Sequence, residues 1–290
     1  MFPVRLRSPA PILQRYVQFY TQREMSLRDP LVVQSVPARA APMFEFVFGD
    51  RLRVRYPGTS GEETSPRAVV VGMLTRPHAQ LILQGTFESF VIMFQPTGLG
   101  YLFPVALSEL TDHDYDAHSV LGRSVAELEQ RLGDCESFAS RVRVADAFLT
   151  RRVPDIPTVD RISIAMSEIL LKHGRVRIPE LASYAGMGKR QFEREFGLRV
   201  GIRPKLYSRI VRFQEALDSK ARSSTKSWTD VAHEFDYNDQ MHLIHDFEEF
   251  TGETPTETLR MLETFFREQL EAIRMGMGTL NPRQVPRFVI

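Results

Sequence analysis

A group of neighbouring polar side chains at residues 189–194 has the residue types that read DNA bases. In the stretch GKRQFEREFG, Phe192 and Phe196 are four residues apart, so they would anchor one face of a helix and leave the polar residues facing outward. In the major groove, arginine pairs bidentately with guanine and glutamine with adenine. The pattern predicts base contacts from Lys189, Arg190, Gln191 and Arg194. By itself, it also fits the solvated basic face of an ordinary helical bundle.

Further cations surround this stretch and suit the phosphates of the same DNA. A lysine or arginine that neutralises a phosphate releases counterions and so adds affinity. Phosphate contacts also fix the position of a protein on the duplex. The predicted phosphate-binding residues are Arg175, Arg177, Arg199, Arg203, Lys205, Arg209 and Arg212.

The spacing recurs further along the chain with the opposite charge, in SWTDVAHEFDYNDQMHLIHDFEEFTGETP. Leu243 and Phe247 would anchor a second outward-facing helix, whose base-reading candidates are Gln240, Ile244 and His245. From Trp228 to Leu259 the chain contains no lysine or arginine, although it contains many acids. Carboxylates beside phosphates repel them and forfeit counterion release. The second helix could therefore buttress the first, read bases weakly, or contact a protein such as RNA polymerase or the N-terminal domain.

These candidates need helices to position them. Apolar stripes at helical spacing predict helices over residues 160–172, 178–185, 189–199, 204–220, 228–235, 239–250 and 256–271. Prolines fall where a first helical turn tolerates them, and glycines fall in the breaks. Two helix-turn-helix units joined by one long helix are the economical arrangement of these pieces.

The two units resemble the tandem helix-turn-helix domain of AraC-family transcriptional regulators. LASYAGMGKRQFEREFGLRVGIRPKLYSRIVRFQEAL is similar to the first unit with its linker helix, and VAHEFDYNDQMHLIHDFEEFTGETP is similar to the second. The chain departs from the family at Asp236, where a glycine is usual, and at His245, Glu248 and Glu249, where basic residues are usual. The resemblance implies a regulator that binds promoter DNA, with a homodimer, RNA polymerase contact and a small-molecule effector as expected partners. The alternative is a family relative that acts through protein contact without binding DNA.

The first hundred residues have the period of a sheet. MFEFVFGDRLRVRYPG predicts a hairpin that turns at Gly49-Asp50, and RAVVVGM, AQLILQG and ESFVIMFQP predict further short strands. We therefore predict an α+β chain: an N-terminal β-rich, jelly-roll or cupin-like sensory domain with flanking helices, followed by an all-α tandem helix-turn-helix domain. The predicted divisions are residues 1–110 for the sheet, 111–154 for a helical dimerisation and linker segment, 155–262 for the DNA-binding domain and 263–290 for a helix end and tail.

The predicted sheet offers candidate ligand-binding residues, although packed core is the alternative interpretation. Phe44, Phe46 and Phe48 share one face of a strand, and His78 and Gln80 add polar groups. Alternation places Glu45 on the opposite face, which counts against a ligand role for it.

Other classes of function lack visible machinery in the sequence. Cys135 is the only cysteine, which excludes an intramolecular disulfide and a cysteine-based zinc finger. His242 and His245 have a spacing that could hold a metal, but the family resemblance explains them better. We expect no catalytic residue, no metal and no cofactor. The net charge is +1, and no stretch has the length of a membrane span. The expected location is the cytoplasm.

Overall fold

A computed structural model describes residues 4–153, 160–223 and 225–263, without the side chains of residues 28–30. The predicted domain boundary near residue 155 and nearly all of the predicted tail, residues 264–290, lie outside these ranges. Within them, no helix combines the length and the apolar character that are needed to cross a membrane.

The N-terminal part is an antiparallel sheet. Its strands are β1 (Val4–Arg7), β2 (Val17–Val36), β3 (Met43–Gly49), β4 (Arg53–Arg55), β5 (Glu63–Thr64), β6 (Ala68–Val71), β7 (Ala79–Phe94) and β8 (Asp114–Asp116). The main path of neighbours is β1-β2-β7-β3-β6-β8, and β4 pairs with β5 and β7. The two long strands β2 and β7 pair along most of their length, so they form the spine of the sheet.

The predicted hairpin at Gly49-Asp50 is wrong. β3 pairs with residues 87–93 of β7, and β4 pairs with residues 80–82 of the same strand, so β3 and β4 run in one direction along β7. Gly49 pairs with Phe87 of β7, and Gly85 of β7 pairs with Leu27 of β2. The two glycines have φ +86° and +88°, a region open to glycine. The glycines bend the sheet here without reversing it. AQLILQG and ESFVIMF are therefore parts of one strand and not two.

The helices follow the sheet. They are α1 (Gly98–Leu102), α2 (Leu107–Leu110), α3 (Ala117–Leu121), α4 (Arg123–Gly133), α5 (Phe138–Thr150), α6 (Arg161–Leu171), α7 (Ile178–Tyr184), α8 (Lys189–Val200), α9 (Pro204–Arg222), α10 (Trp228–Glu234) and α11 (Gln240–Thr251). Residues 255–263 are also helical. From α6 to α11 the bounds agree with the predicted ones to within two residues.

Both faces of the sheet are buried, but by different partners. The outer face carries Phe44 and Phe46, which pack with Leu128 of α4 and with Phe138 and Phe148 of α5 in one core. The predicted dimerisation segment therefore shares a core with the sheet, and its apolar stripes are buried against the sheet. Strand β8 also lies within that segment and pairs with β6.

The inner face of the sheet carries Arg23, Glu45 and Ser89. Around them, apolar residues of β2, β3, β6 and β7 form clusters with one another, with Phe19 and Met93 as examples. Because the strands of the sheet bury this face against each other, the sheet curls over on itself.

The C-terminal helices share a separate core, in which Phe196, Tyr207, Phe213 and Phe247 are fully buried. This part of the chain is the predicted all-α tandem arrangement, and the α+β fold class is confirmed. Helices α8 and α11 each end at a glycine with positive φ, Gly201 and Gly252. Such C-caps let the chain leave a helix sharply, which places the linker helix α9 directly after the first unit.

Candidate nucleic-acid interface

Helix α8 presents the predicted base-reading residues to solvent. Phe192, Phe196 and Val200 are buried on one side of the helix, and this spacing turns the other side outward. Lys189, Arg190, Gln191 and Arg194 are all exposed near the N-terminal end. A recognition helix contacts base edges with this end when it lies in the major groove.

The cations of α8 remain available for DNA although two of them have acidic neighbours. Lys189 Nζ lies 4.0 Å from Glu193 Oε1, and Arg194 Nη2 lies 3.1 Å from Glu195 Oε1. The side chains of Lys189 and Arg194 are 60% and 70% exposed. Ion pairs this exposed are worth about 1 kcal/mol or less, so DNA can displace them at little cost.

The predicted phosphate contacts divide into two groups. Arg177, Arg203 and Lys205 are exposed on the surface, and the ion pair of Arg177 with Glu180 at 2.8 Å is itself exposed. Arg175 is also exposed, but its Nη1 donates to the carbonyl of Glu234 at 3.1 Å. The other three arginines, Arg199, Arg209 and Arg212, make ion pairs within the protein.

Arg209 and Arg212 differ most from the predicted phosphate role, because both form ion pairs with a carboxylate of the second unit. Arg209 Nη2 lies 2.6 Å from Asp246 Oδ1 and 2.6 Å from Glu249 Oε2, and Arg212 Nη2 lies 3.2 Å from Asp246 Oδ2. The Arg212 guanidinium also stacks 4.2 Å above the centroid of the Tyr237 ring. We call these five residues the Asp246 cluster.

Charge balance explains the electrostatics of the Asp246 cluster. Burial opposes the charged form of Arg209, but the hydrogen bonds that Arg209 donates to Glu249 and Asp246 outweigh it and raise the pKa of Arg209 above its usual value. Burial also raises the pKa of Tyr237, which keeps its proton. The cluster thus ties the linker helix α9 to α11. Sequence reasoning missed it because the partners are 34 and 37 residues apart.

Other acids of the second unit also have counter-charges. Lys226 Nζ lies 2.7 Å from Glu234 Oε2, and Arg260 Nη2 lies 2.6 Å from Glu257 Oε1. The Asp239 carboxylate caps α11 by accepting from a backbone N–H at 2.7 Å. The sequence predicted that these acids have no lysine or arginine within their own stretch, residues 228–259. The cations that pair with Glu234 and Glu257 lie just outside that stretch.

The second recognition helix is less suited to DNA than the first. Gln240 and His245 are exposed and Ile244 is half-buried, so these base-reading candidates reach the surface. Gln240 Oε1 accepts from the Thr229 hydroxyl at 3.0 Å. Glu248 is also exposed on this helix, where it would repel a phosphate.

Comparison with family models decides the class of this domain. Residues 181–261 match the model described as Helix-turn-helix domain. The C-terminal domain is an AraC-type helix-turn-helix domain. Such domains belong to DNA-binding transcription regulators, and both recognition helices of the AraC-type domain lie inside the matched range. Residues 6–116 match a second model, Domain of unknown function (DUF6597), which covers the sheet from the end of β1 to β8.

Solved structures of ToxT from Vibrio cholerae are similar to most of the chain at a low level. One at 1.65 Å resolution has a TM-score of 0.45 and 11% identity, over 90% of this chain and 98% of that chain. ToxT bound to (E)-4-(8-methylnaphthalen-1-yl)but-3-enoic acid has a TM-score of 0.47 and 10% identity, over 90% and 99%. ToxT bound to an unsaturated fatty acid has a TM-score of 0.45 and 9% identity, over 90% and 95%. These values are too low to transfer a ligand site. No curated protein matched the chain.

The two histidines of α11 lie in different surroundings. The ring of His242 lies edge-on to Tyr237, with 5.3 Å between the ring centroids, and His245 is exposed. Across the parts of the chain that the structure describes, no three histidine, cysteine, aspartate or glutamate side chains come together in a group that could hold a metal ion.

The predicted ligand-binding residues of the sheet do not converge on one place. Phe44 and Phe46 are fully buried in the outer-face core, and Phe48 packs against the same core beneath the Arg141 guanidinium. His78 and Gln80 lie elsewhere, and both are engaged. His78 Nε2 is 2.6 Å from Asp114 Oδ1, and Gln80 Oε1 accepts from an arginine at 3.4 Å. The alternative interpretation of the phenylalanines as packed core describes what the structure shows.

The inner face holds the polar group that sequence reasoning passed over. Arg23 Nη2 lies 3.3 Å from Glu45 Oε1, and the Ser89 hydroxyl donates to the same oxygen at 2.5 Å. All three residues are buried, as is Arg39 nearby. Alternation had placed Glu45 away from the phenylalanines, and this was correct. This placement counted against a ligand role for Glu45 only if the phenylalanine face lined the interior of the curled sheet. The face that carries Glu45 lines that interior instead.

Polar contacts join the sheet to the AraC-type domain. The Tyr101 hydroxyl donates to Asp160 Oδ2 at 2.6 Å and accepts from Arg199 Nη1 at 3.0 Å, while Arg199 lies 3.5 Å from Asp160 Oδ1. The Thr111 hydroxyl donates to the carbonyl of Gly201 at 3.2 Å. Arg199, in the last turn of α8, is therefore part of a contact between domains.

Proposed function

We propose that the protein is a sequence-specific DNA-binding transcriptional regulator in which α8 supplies the base reading and most of the affinity. The observation that carries this proposal is the contrast between the two recognition helices. The N-terminal end of α8 exposes three cations and a glutamine on a rigid, well-packed helix. The exposed face of α11 carries acids and has no lysine or arginine.

The phosphate contacts that suit this proposal are the exposed cations beside α8. Arg177 precedes α7, and Arg203 and Lys205 stand at the start of α9. Arg209 and Arg212 serve the proposal indirectly, because they hold α11 against α9. The second unit is then a buttress with weak base contacts from Gln240, Ile244 and His245.

A salt series tests the proposal. The purified full-length protein is titrated with fluorescent fragments of its own promoter region at several salt concentrations. Specific binding that weakens steeply with salt is expected, because log K falls with log salt by about 0.9 for each phosphate neutralised. Arg203→Ala and Lys205→Ala should each flatten the slope by about 1.

The matched control is Arg212→Ala, which removes an arginine from the Asp246 cluster and not from the basic surface. It should leave the salt slope unchanged in the protein that remains folded. Absence of binding at low salt, both in the full-length protein and in the fragment from residue 155 onward, would overturn the proposal.

The AraC-family resemblance implies a cytoplasmic location and further partners. A homodimer, contact with RNA polymerase and a small effector at the sheet domain are proposed on that basis. The covered stripes of α4 and α5 mean that a dimer would have to use another surface. Sedimentation of the full-length protein measures the dimer directly.

The second candidate function is a co-regulator that acts through protein contact. The observation that favours it is the exposed acidic surface of the second unit, which includes Asp236, Glu248 and Glu253. Glu248→Lys separates the two functions. It should raise DNA affinity if α11 approaches the groove, and it should change nothing if that surface meets a protein.

A further inference from the structure

The inner face of the sheet contains a buried cluster of polar side chains around Glu45. Its members lie on neighbouring strands, since Arg23 of β2 is opposite Ser89 of β7, and Thr21 and Glu45 flank Val91. Arg39 lies just beyond the end of β2, is only 4% exposed, and donates from Nε to the carbonyl of Ala41 at 3.0 Å. We call Thr21, Arg23, Arg39, Glu45 and Ser89 the Glu45 cluster.

Several polar atoms of this face lack a hydrogen-bond partner. Within the parts of the chain that the structure describes, the unpaired atoms here are Thr21 Oγ1, Arg23 Nε, Gln34 Nε2 and Arg39 Nη2. Buried donors in native proteins are almost always satisfied, and an unsatisfied group points to a bound water, ion or ligand. Because the unpaired nitrogens are all donors, the missing partner must be an acceptor.

The charge of the Glu45 cluster also indicates that an acceptor is missing. It contains two guanidiniums, those of Arg23 and Arg39, but only one carboxylate. Burial lowers the pKa of Arg39 to about 10, and the carboxylate of Glu45 partly offsets this effect. Arg39 therefore stays charged near neutral pH, and the cluster has one positive charge in excess. Buried charges in proteins are paired, so the missing acceptor should be an anion.

The surroundings define the rest of the ligand. Phe19, Met43, Val91 and Met93 lie on the same face and are buried beside the polar group. Arginine presents a planar fork that matches a carboxylate with two parallel hydrogen bonds. We propose that the Glu45 cluster binds a small organic carboxylate, with Arg39 Nη2 and Arg23 Nε donating to the carboxylate and the apolar residues contacting its carbon skeleton.

The site has a direct connection to the AraC-type domain through the segment that holds Arg39. Ala38 and Ala40, on either side of it, pack in the core of the helix-turn-helix domain. The backbone N–H of Ala38 donates to the carbonyl of Phe250 in α11 at 2.8 Å. Arg39 and Leu74 also exchange backbone hydrogen bonds of 2.8 and 3.0 Å.

Successive residues of one segment thus face the ligand and the second recognition helix. A carboxylate that engages Arg39 would act on the backbone that supports α11, so its binding would be coupled to the conformation of the second unit. This regulatory consequence rests on the proposed function. The binding of the carboxylate does not, and it is measured without DNA.

The experiment follows the thermal unfolding of the full-length protein with three acids of increasing size: formate, acetate and benzoate. The controls are sodium chloride at matched ionic strength and the neutral amides formamide, acetamide and benzamide. At millimolar concentrations at least one acid should raise the Tm while its amide does not, because only the acid pairs with the excess charge. Equal effects of acids and amides, or no effect of any acid, would overturn the proposal.

Two variants with opposite expected effects locate the binding to the Glu45 cluster. Arg39→Gln removes the guanidinium whose Nη2 lacks a partner, and it should abolish the Tm shift. Glu45→Gln keeps the shape of the side chain but removes the competing carboxylate, so it should enlarge the shift. The matched control is Arg55→Gln, on the surface of β4 in an ion pair with Glu62, which should leave the shift unchanged.

Equal shifts in wild type and Glu45→Gln would contradict the assignment even if Arg39→Gln does not fold. Failure of carboxylate binding in a protein that still binds promoter DNA would overturn this inference and leave the proposed function standing. Carboxylate binding without DNA binding would do the reverse.

Discussion

A single carboxylate, Asp246, organises the charge of the DNA-binding domain. It is 1% exposed and lies against two arginines of α9. A buried carboxylate is costly unless it is paired, and removal of one partner leaves the others without compensation. Two arginines that look like phosphate ligands are therefore part of the scaffold that positions the second recognition helix.

Replacement of Asp246 by Asn should destabilise the domain by about 3 kcal/mol, because two arginines lose a buried counter-charge. Urea unfolding measures this, with the fluorescence of Trp228 as the probe. Trp228 is the only tryptophan of the chain, and its ring lies 5.3 Å from that of Phe247 in α11. The control is Glu249→Gln, which touches the same arginine from a more exposed position and should cost about 1 kcal/mol or less. Equal losses in the two variants would contradict the account.

At this scale the sequence predicts exposure better than it predicts pairing. The spacing of Phe192 and Phe196 is local, so it correctly predicts that Arg190 and Gln191 face solvent. The partners of Arg209 and the lack of a partner for Arg39 Nη2 depend on elements that are distant along the chain. No pattern within a helix or a strand contains that information.

The turns of the two helix-turn-helix units have the same backbone geometry with different residues. In the first, Gly186 has φ +65° and the N–H of Met187 donates to the carbonyl of Ala182 at 2.9 Å. In the second, Asp236 has φ +53° and the N–H of Tyr237 donates to the carbonyl of Ala232 at 2.9 Å. The turn requires one residue in the left-handed region of φ and ψ. A residue with a side chain is strained in that region.

Gly186→Ala should therefore cost about 1 kcal/mol of stability, and Asp236→Gly should raise stability. Urea unfolding of both variants measures the two effects. The control is Gly188→Ala two residues further on, where φ is −68° and no heavy atom lies within 4 Å of an added side chain, so it should be tolerated. If Asp236→Gly lowered stability, the aspartate side chain would be stabilising the turn, and the strain argument would be wrong.

Helices and strands differ in how far the sequence determines them. The helices from α6 to α11 follow from local stripes, prolines and caps, since an α-helix closes its hydrogen bonds within four residues. The pairing of β3 and β4 with separate halves of β7 depends on residues far along the chain. A glycine that bends a continuous strand has the same local signature as a glycine in a hairpin, which is why that turn was predicted wrongly.

At the scale of the whole molecule, the N-terminal part contacts the helix-turn-helix domain through the apolar packing of Ala38 and Ala40 and also through polar groups. Tyr101 is central to one contact, since its hydroxyl bonds both Asp160 and Arg199. Burial raises the pKa of Tyr101 to about 12, and the hydrogen bond to Asp160 adds to the effect. The contact therefore depends on a protonated tyrosine.

Alkaline pH should weaken this contact in a defined window. The folded pKa of Tyr101 is raised, so its contribution to stability is complete below pH 10 and is lost as pH rises towards 12. Tyr101→Phe should be less stable than wild type at pH 8, and the difference should shrink above pH 10. The control is Tyr184→Phe, at a residue 62% exposed, whose difference from wild type should stay constant. A constant difference for Tyr101→Phe as well would contradict the assignment.

The central claim is that the first recognition helix supplies the base reading and that the second adds little to it. One measurement tests it most directly: the affinities of Arg190→Ala and Gln240→Ala for a bound promoter fragment and for single-base variants of that fragment, at one salt concentration. We predict that Arg190→Ala loses discrimination at particular base pairs, by about 1–3 kcal/mol each, while Gln240→Ala discriminates like wild type. Loss of discrimination in Gln240→Ala with none in Arg190→Ala would contradict the account.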